Sequence, residues 1–365
     1  MVDVYFLARM LNVRPSVSDY LSTKPSELCA VYIDMGTTNT RAWLMRGDCL
    51  AASAKRAMGV RDTAKAGSSI PAHEALRELI ADLRAKAQHS DNPCTPVCVV
   101  GSGMIGSSLG LMEVAHLHAP VGIEELSEAS RWRHFPEVTD LPVLLVPGVR
   151  SGLPGDSPQA VHEIDVMRGE ETLCAGLVAS GMVTGPAVVL NLGSHWKAIA
   201  LDQNGRIRSS VTSLSGELIH AVQLQTILSS SVSPERPQHH SADWVEAGMR
   251  EQRRSGLGRA LFCVRLLDLE RQGTKEDRLA FIIGAFLASD LDALLARDVL
   301  KTNVPVALVG TPPVAEAWRL ALSRVSIFAT VIHAEGAERG LLTGLRRILV
   351  ACLRSANQSI EARLQ

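Results

Sequence analysis

Two stretches of the chain carry the same order of signals, and together they constrain the fold more than any other feature. Val31 to Met45 reads VYIDMGTTNTRAWLM, and Val188 to Asp202 reads VVLNLGSHWKAIALD. Each is an apolar run of strand length, a glycine turn and a returning strand. From Pro186 to Gln223 the second copy continues through an Asn-Gly turn, a third strand and a helix, and from Leu28 the first copy continues into a third strand as well. Self-similarity of this kind predicts an internal duplication, with one α/β half starting near residue 30 and another near residue 186.

The rest of the chain fits that frame. AHEALRELIADLRAKAQ after Pro71 has apolar residues at three- and four-residue spacing and reads as an amphipathic helix. TPVCVVGSGMIG and LPVLLVPGV read as buried strands, and Val166 to Ala179 as a helix with acids in its first turn. Residues 229–258 are polar and read as a surface loop with a short helix, in which His239 and His240 are solvated. Leu261 to Val299 has a helical period, PVALVG at 305–310 is a strand, a helix follows from Val314, and VSIFATVI is a last strand before Leu341 to Leu353. Alternating strands and helices in both halves give an α/β protein.

Composition excludes several classes. A length of 365 residues suits about two domains. Lys+Arg 37 against Asp+Glu 38 leaves no bulk attraction for nucleic acid. Apolar runs such as Leu141 to Val146 fall far short of the roughly 20 residues that cross a bilayer, so no membrane partner is expected. Seven cysteines, an odd number without a CxxC pair, argue against a disulfide framework or a zinc site. Asp3 and Asp19, with no long apolar core, argue against a secretory signal, so the expectation is a cytoplasmic protein.

Asp34-Met35-Gly36-Thr37-Thr38-Asn39-Thr40-Arg41 places an acid at the end of a buried strand, before a tight turn rich in hydroxyls. That combination suits Mg-ATP: the carboxylate can hold Mg²⁺ directly or through water while turn amides and hydroxyls reach phosphate oxygens. Asn191 to His195 makes the corresponding turn of the second half. Gly101 to Gly106 formally matches the GxGxxG of dinucleotide-binding domains, but no helix follows directly and no acid ends a next strand. Gly106 to Gly110 matches GxSxG without a strand running into the serine, no GxxxxGK[ST] occurs, and His116 and His118 lack a nearby acid at ligand spacing. Asp165 to Glu171 sets three carboxylates and Arg168 at a helix start, either as complement to the helix dipole or as a general base beside an anion-binding arginine.

Taken together, DMGTTNTRAW, GSGMIGSSLG, VPGV, DVMRGEETLCAG, LGSHWK, SGELIHAVQ and FCVRLL resemble the 2-dehydro-3-deoxygalactonokinase family of sugar-acid kinases, in order from about residue 30 to residue 345. The resemblance implies two duplicated actin-like (ribonuclease H-like) α/β domains with an ATP cleft between them, at residues 29–180 and 181–350, flanked by an extension at 1–28 and a tail at 351–365. It implies ATP and Mg²⁺ as cofactors and phosphorylation of 2-dehydro-3-deoxy-D-galactonate at its 6-hydroxyl, a step of galactonate breakdown. Asp34, Gly36, Thr37, Thr38 and Arg41 then belong to the first phosphate site, with Asp34 the metal ligand, and Gly193, Ser194, His195 and Lys197 to the second. Gly310 and Thr311 fall at the adenosine contact, and Gly103, Met104, Gly106 and Arg168 at the sugar acid, Arg168 for its carboxylate. Asp165 and Glu170 compete for the role of base. The chain departs from the family pattern at Met35, Leu111, Leu192, Ser194 and Trp196, changes that bear on the choice of substrate more than on ATP. A kinase for another sugar acid or polyol, a non-catalytic nucleotide binder and a nicotinamide oxidoreductase are the competing readings. The oligomeric state stays open, a homodimer included.

Overall fold

The computed structural model describes residues 27–89, 93–153, 155, 157–237 and 241–364; most of the extension at 1–28, and the pair His239 and His240, lie outside them. The described residues divide into two compact units, one holding those up to Met182 and those from Arg339 on, the other Val183–Glu338.

The first unit begins with the meander expected from its alternation: β1 (Cys29–Met35), β2 (Thr40–Arg46) and β3 (Cys49–Arg56), each antiparallel to the one before. Short α1 (Val60–Ala66) and the amphipathic α2 (Ile70–Gln88) follow, and α2 buries Leu76, Leu79, Ile80 and Leu83. The chain then returns in β4 (Cys98–Gly103), parallel to β1. After β5 (Leu117–His118), α3 (Ile123–Ala129) and β6 (Arg131–Arg133) comes β7 (Val143–Leu145), and the main sheet has the order β3-β2-β1-β4-β7-β6. β8 (Val149–Ser151) and β9 (Asp165–Met167) join β5 in a separate three-stranded sheet of order β5-β8-β9. The helix expected from Val166 starts later, as α4 (Glu170–Ala179), because Asp165–Met167 pair as a strand and Gly169, at φ 107°, breaks the chain direction between them.

The second unit repeats the plan. β10 (Ala187–Leu192), β11 (Trp196–Leu201) and β12 (Ile207–Ser213) form the meander, and α5 (Ser215–Gln225) follows. Where a surface loop with a short helix was expected, the helix is the 14-residue α6 (Ala242–Ser255), which buries Val245, Gly248 and Met249 on one stripe. The single helical stretch expected over Leu261 to Val299 is two helices, α7 (Leu257–Leu269) and α8 (Lys275–Ala296), separated by a turn in which Gly273 has φ 68°. By length and composition α8 could cross a membrane, but thirteen of its residues are buried in the unit's own core. β13 (Val306–Gly310), α9 (Pro312–Arg324) and β14 (Ala329–Ile332) complete a sheet of order β12-β11-β10-β13-β14. Position by position this matches β3-β2-β1-β4-β7 of the first unit, so the duplication legible in two hairpins extends to five strands.

The last helix, α10 (Ala334–Leu364), leaves the second unit and rejoins the first. Its Gly340 and Gly344 lie against Gly176 and Thr172 of α4 so closely that a Cβ on Gly176 or Gly344 would collide with backbone. Cys352 on α10 donates to the Ser127 carbonyl of α3 at 3.2 Å. Residues 339–350, assigned from sequence to the second domain, and the described part of the assigned tail are thus part of the first unit.

Candidate active site

In the first unit the candidate residues gather where β1 and β4 end side by side. Register sets Met35 beside Gly103 and Asp34 beside Ser102. Gly103 has φ 80°, and a Cβ there would sit 2.5 Å from the Met35 carbonyl and 3.3 Å from Asp34 Oδ1. A Cβ on Gly169 would sit 3.7 Å from the same Oδ1 and 3.4 Å from Gly103 Cα. Two glycines therefore clear the space beside one oxygen of Asp34. The other oxygen, Oδ2, accepts from Arg41 Nη2 at 2.8 Å, across the β1-β2 ladder.

The turn from Gly36 to Asn39 is closed by Gly36 N–H donating to the Asn39 carbonyl at 2.8 Å. It is braced from below by α1: the amides of Val60 and Arg61 donate to the carbonyls of Gly36 and Thr37, at 3.2 and 3.0 Å. Thr37 and Thr38 stay partly exposed at its tip.

Met104–Gly106 form a single 3-10 turn after β4, not the long helix of a dinucleotide-binding domain, which removes that reading on structural grounds. Ser107 donates its hydroxyl to the Met104 carbonyl at 2.7 Å and so stabilises this turn. Arg168, between β9 and α4, reaches the same place: a Cβ on Gly106 would lie 3.5 Å from its Nη1. Its Nη2 donates to the Val114 carbonyl at 2.7 Å, and Nη1 is buried without a hydrogen-bond partner. Burial holds the guanidinium below its ordinary pKa, while the charges of Glu171 and Glu113 act the other way.

The two candidate bases are separated by the break at Gly169. Glu170 is the first residue of α4, directly after the glycine that lies beside Asp34. Asp165 sits at the far end of β9, paired with Ser151 in the three-stranded sheet. Sequence reasoning missed the role of Glu171. Fully buried, it accepts the Gly169 N–H on both carboxylate oxygens, at 2.9 and 2.8 Å, and the Thr172 hydroxyl at 3.2 Å. Burial, then the charge of Glu170, pushes its carboxyl up to about 8. The signal was present, since Glu171 heads the apolar run TLCAGLVA.

In the second unit, Gly193 and Ser194 are exposed at the tip of the β10-β11 turn. The N-terminus of α5 packs under that turn: Glu217 N–H donates to the Ser194 carbonyl at 2.7 Å, and a Cβ on Gly216 would collide with the Gly193 carbonyl. His195 Nε2 lies 3.2 Å from Glu217 Oε2. Lys197, on β11 opposite Asn191, is 4% exposed. Gly310 ends β13 beside Leu192, and Thr311 follows it as the N-cap of α9. A cavity of about 160 Å³ lies under this sheet, lined by Leu190, Trp196, Ser213, Asp290 and Trp318 among others. Burial raises the Asp290 carboxyl, which accepts from the Ser213 hydroxyl at 2.5 Å.

An α/β plan used twice, with a strand-borne acid and hydroxyl turn in one copy and a glycine turn at the same strand position in the other, is the architecture of the actin-like ATPase fold. The model of the 2-keto-3-deoxy-galactonokinase family matches residues 34–348, and the chain belongs to that family. It is 27% identical over 320 residues to a protein of Rhizobium meliloti named a probable 2-dehydro-3-deoxygalactonokinase, covering 87% of this chain and 96% of the relative. It is also 27% identical to the 2-dehydro-3-deoxygalactonokinase of Escherichia coli, covering 84% of this chain and 94% of that one. The crystal structure of a Sinorhizobium meliloti protein described as a candidate 2-dehydro-3-deoxygalactonokinase superposes with a TM-score of 0.68 at 24% identity, over 87% of this chain and 96% of that one. The chain is thus a kinase of this family, an ATP-using phosphotransferase with a sugar-acid alcohol as acceptor.

Proposed function

We propose that the chain transfers the γ-phosphoryl group of ATP to the 6-hydroxyl of 2-dehydro-3-deoxy-D-galactonate, with Glu170 as the base. The observation that carries this reading is the grouping of Asp34, Gly103, Gly169 and Arg168 at one end of β1 and β4. The substrate oxygen forms its bond to phosphorus as the bond to the β-phosphate oxygen breaks, Glu170 takes the hydroxyl proton, and ADP leaves. Such a transfer depends chiefly on position and on the charges set around the phosphoryl group.

Within the first unit, Gly36, Thr37, Thr38 and Arg41 bind phosphate oxygens, and Gly103, Met104, Gly106 and Arg168 bind the sugar acid. The buried, unpartnered Nη1 of Arg168 favours an acid over a polyol, because a carboxylate offers the acceptor it lacks. Within the second unit, Gly193, Ser194, His195 and Lys197 bind phosphate, and Gly310 and Thr311 the adenosine. Mg²⁺ would be held by Asp34, whose Oδ1 is flanked by Gly103 and Gly169 while Oδ2 is engaged by Arg41. One carboxylate suits an ion that keeps water and phosphate oxygens as its other ligands. When bound, the ion neutralises phosphate charge. A cytoplasmic location accords with seven free thiols.

Rapid-quench single turnovers test the assignment of the base. Glu170→Gln is expected to slow transfer by about 100-fold or more while ATP still binds, and Asp165→Asn to leave it within a few-fold. The reverse pattern moves the base to Asp165. Coupling of the product's phosphorus to the two protons on C6 checks the position phosphorylated.

A further inference from the structure

The three-stranded sheet brings His116 and Arg168 together. Its strands are in register at Leu117, Val149 and Met167, so the next row at that end is His116, Gly148 and Arg168. A Cβ on Gly148 would lie 2.4 Å from the Met167 carbonyl and 2.7 Å from both His116 Cδ2 and Arg168 Cγ, so backbone and side chains together hold this position to glycine, and the two side chains meet over it. They do meet: Arg168 Nη2 lies 3.4 Å from His116 Nδ1, alongside its bond to the Val114 carbonyl. A guanidinium only donates, so a hydrogen bond between them requires Nδ1 to accept, with the ring proton on Nε2.

We propose that His116 is a positioning residue of the sugar-acid site: with the Val114 carbonyl it holds Nη2 of Arg168, so that Nη1 meets the substrate's carboxylate in the space Gly106 leaves open. This rests on the reading of Arg168 given above. One arm of the fork is anchored to protein, and the other is buried with no protein partner. A methyl group at Gly106 would stand 3.4 Å from the Val146 carbonyl, 3.5 Å from Nη1 and 3.8 Å from Val114 Cγ2. These are ordinary contacts, so the protein can accept that methyl, but a carboxylate bonded to Nη1 would compete with it for space. A bidentate or forked hold on a carboxylate needs the guanidinium plane fixed, and a histidine acceptor on the opposite arm fixes it.

The test compares the wild-type enzyme with His116→Phe, His116→Asn and Gly106→Ala. Each is assayed with the sugar acid and with the analogue that carries a hydroxymethyl group in place of the carboxylate. His116→Phe is expected to raise KM for the acid at least tenfold, with kcat and the KM for ATP within about twofold and the analogue unaffected. His116→Asn, which restores an acceptor, is expected to recover part of that loss. Gly106→Ala is expected to show the same split at an unchanged melting temperature. Equal losses on acid and analogue, or an unchanged KM for the acid in His116→Phe, would overturn the proposal. Calorimetry of the sugar acid alone runs in parallel. A wild-type protein that binds the acid without phosphorylating it would overturn the functional reading, whereas unchanged affinity in His116→Phe would overturn this one.

Discussion

Gly103 and Gly310 hold the same place in the two repeats: each ends the fourth strand of its sheet, beside the last residue of the first, Met35 for Gly103 and Leu192 for Gly310. The reason for glycine differs. At Gly103 the backbone is left-handed and a Cβ would press on the Met35 carbonyl, whereas at Gly310 no positive φ is required and a Cβ would meet the Leu192 side chain at 2.8 Å.

Gly103→Ala is therefore expected to cost about 2 kcal/mol or more, from a strained backbone and a displaced carbonyl together. Gly310→Ala should cost less, because no positive φ adds backbone strain there and only the contact with Leu192 Cβ has to be relieved. Urea unfolding of both variants compares them, and equal costs would show that the strain at Gly103 is relieved elsewhere.

Asp34 sits in a partly exposed pair with Arg41, and such pairs contribute only about 0–1 kcal/mol to stability. Asp34→Ala is thus expected to lower kcat by about 100-fold or more with little change in unfolding free energy. Near wild-type turnover in a folded variant would remove Asp34 from the account.

Glu171 has its carboxyl raised from 4.5 to about 8, so between those values the folded state holds a proton that the unfolded state has lost. Its contribution to stability is present below about 4.5 and is lost as pH rises towards about 8. Glu171→Gln removes this dependence. Relative to wild type, the variant should gain on the order of a few kcal/mol on going from pH ~5 to pH ~8.5. Parallel stability curves for the two proteins would mean that Glu171 ionises as it does in water.

Gly216 at the start of α5 leaves no room for a Cβ under the Gly193 carbonyl. Gly216→Ala should push the second turn out of place and raise the KM for ATP several-fold, with the KM for the sugar acid unchanged. Initial-rate kinetics with each substrate varied in turn gives the comparison, and a rise in the sugar-acid KM alone would contradict the assignment of that turn to phosphate.

Much of this was legible in the sequence because it is local. Asp34 to Arg41 and Asn191 to Lys197 are each one hairpin, and apolar run plus glycine turn specify a hairpin without help from the rest of the chain. The amphipathic α6 was legible as a short helix, since Trp244, Val245, Gly248 and Met249 fall at helical spacing, but its polar composition hid its full length. The start of α4 was misplaced because three residues of strand have no measurable period. The contact of His116 with Arg168 spans 52 residues and is made just beyond the ends of strands two and three residues long, so no local pattern encodes it.

Coupled ADP release with Mg-ATP and a panel of 2-dehydro-3-deoxy-D-galactonate, its gluconate epimer, glycerol and common hexoses measures whether the enzyme phosphorylates a 2-keto-3-deoxy sugar acid selectively. Turnover is expected with the galactonate acid, and little with glycerol or the hexoses. Turnover of a neutral sugar or polyol at a comparable rate, or none with the acid while ATP binds, would contradict the proposed function.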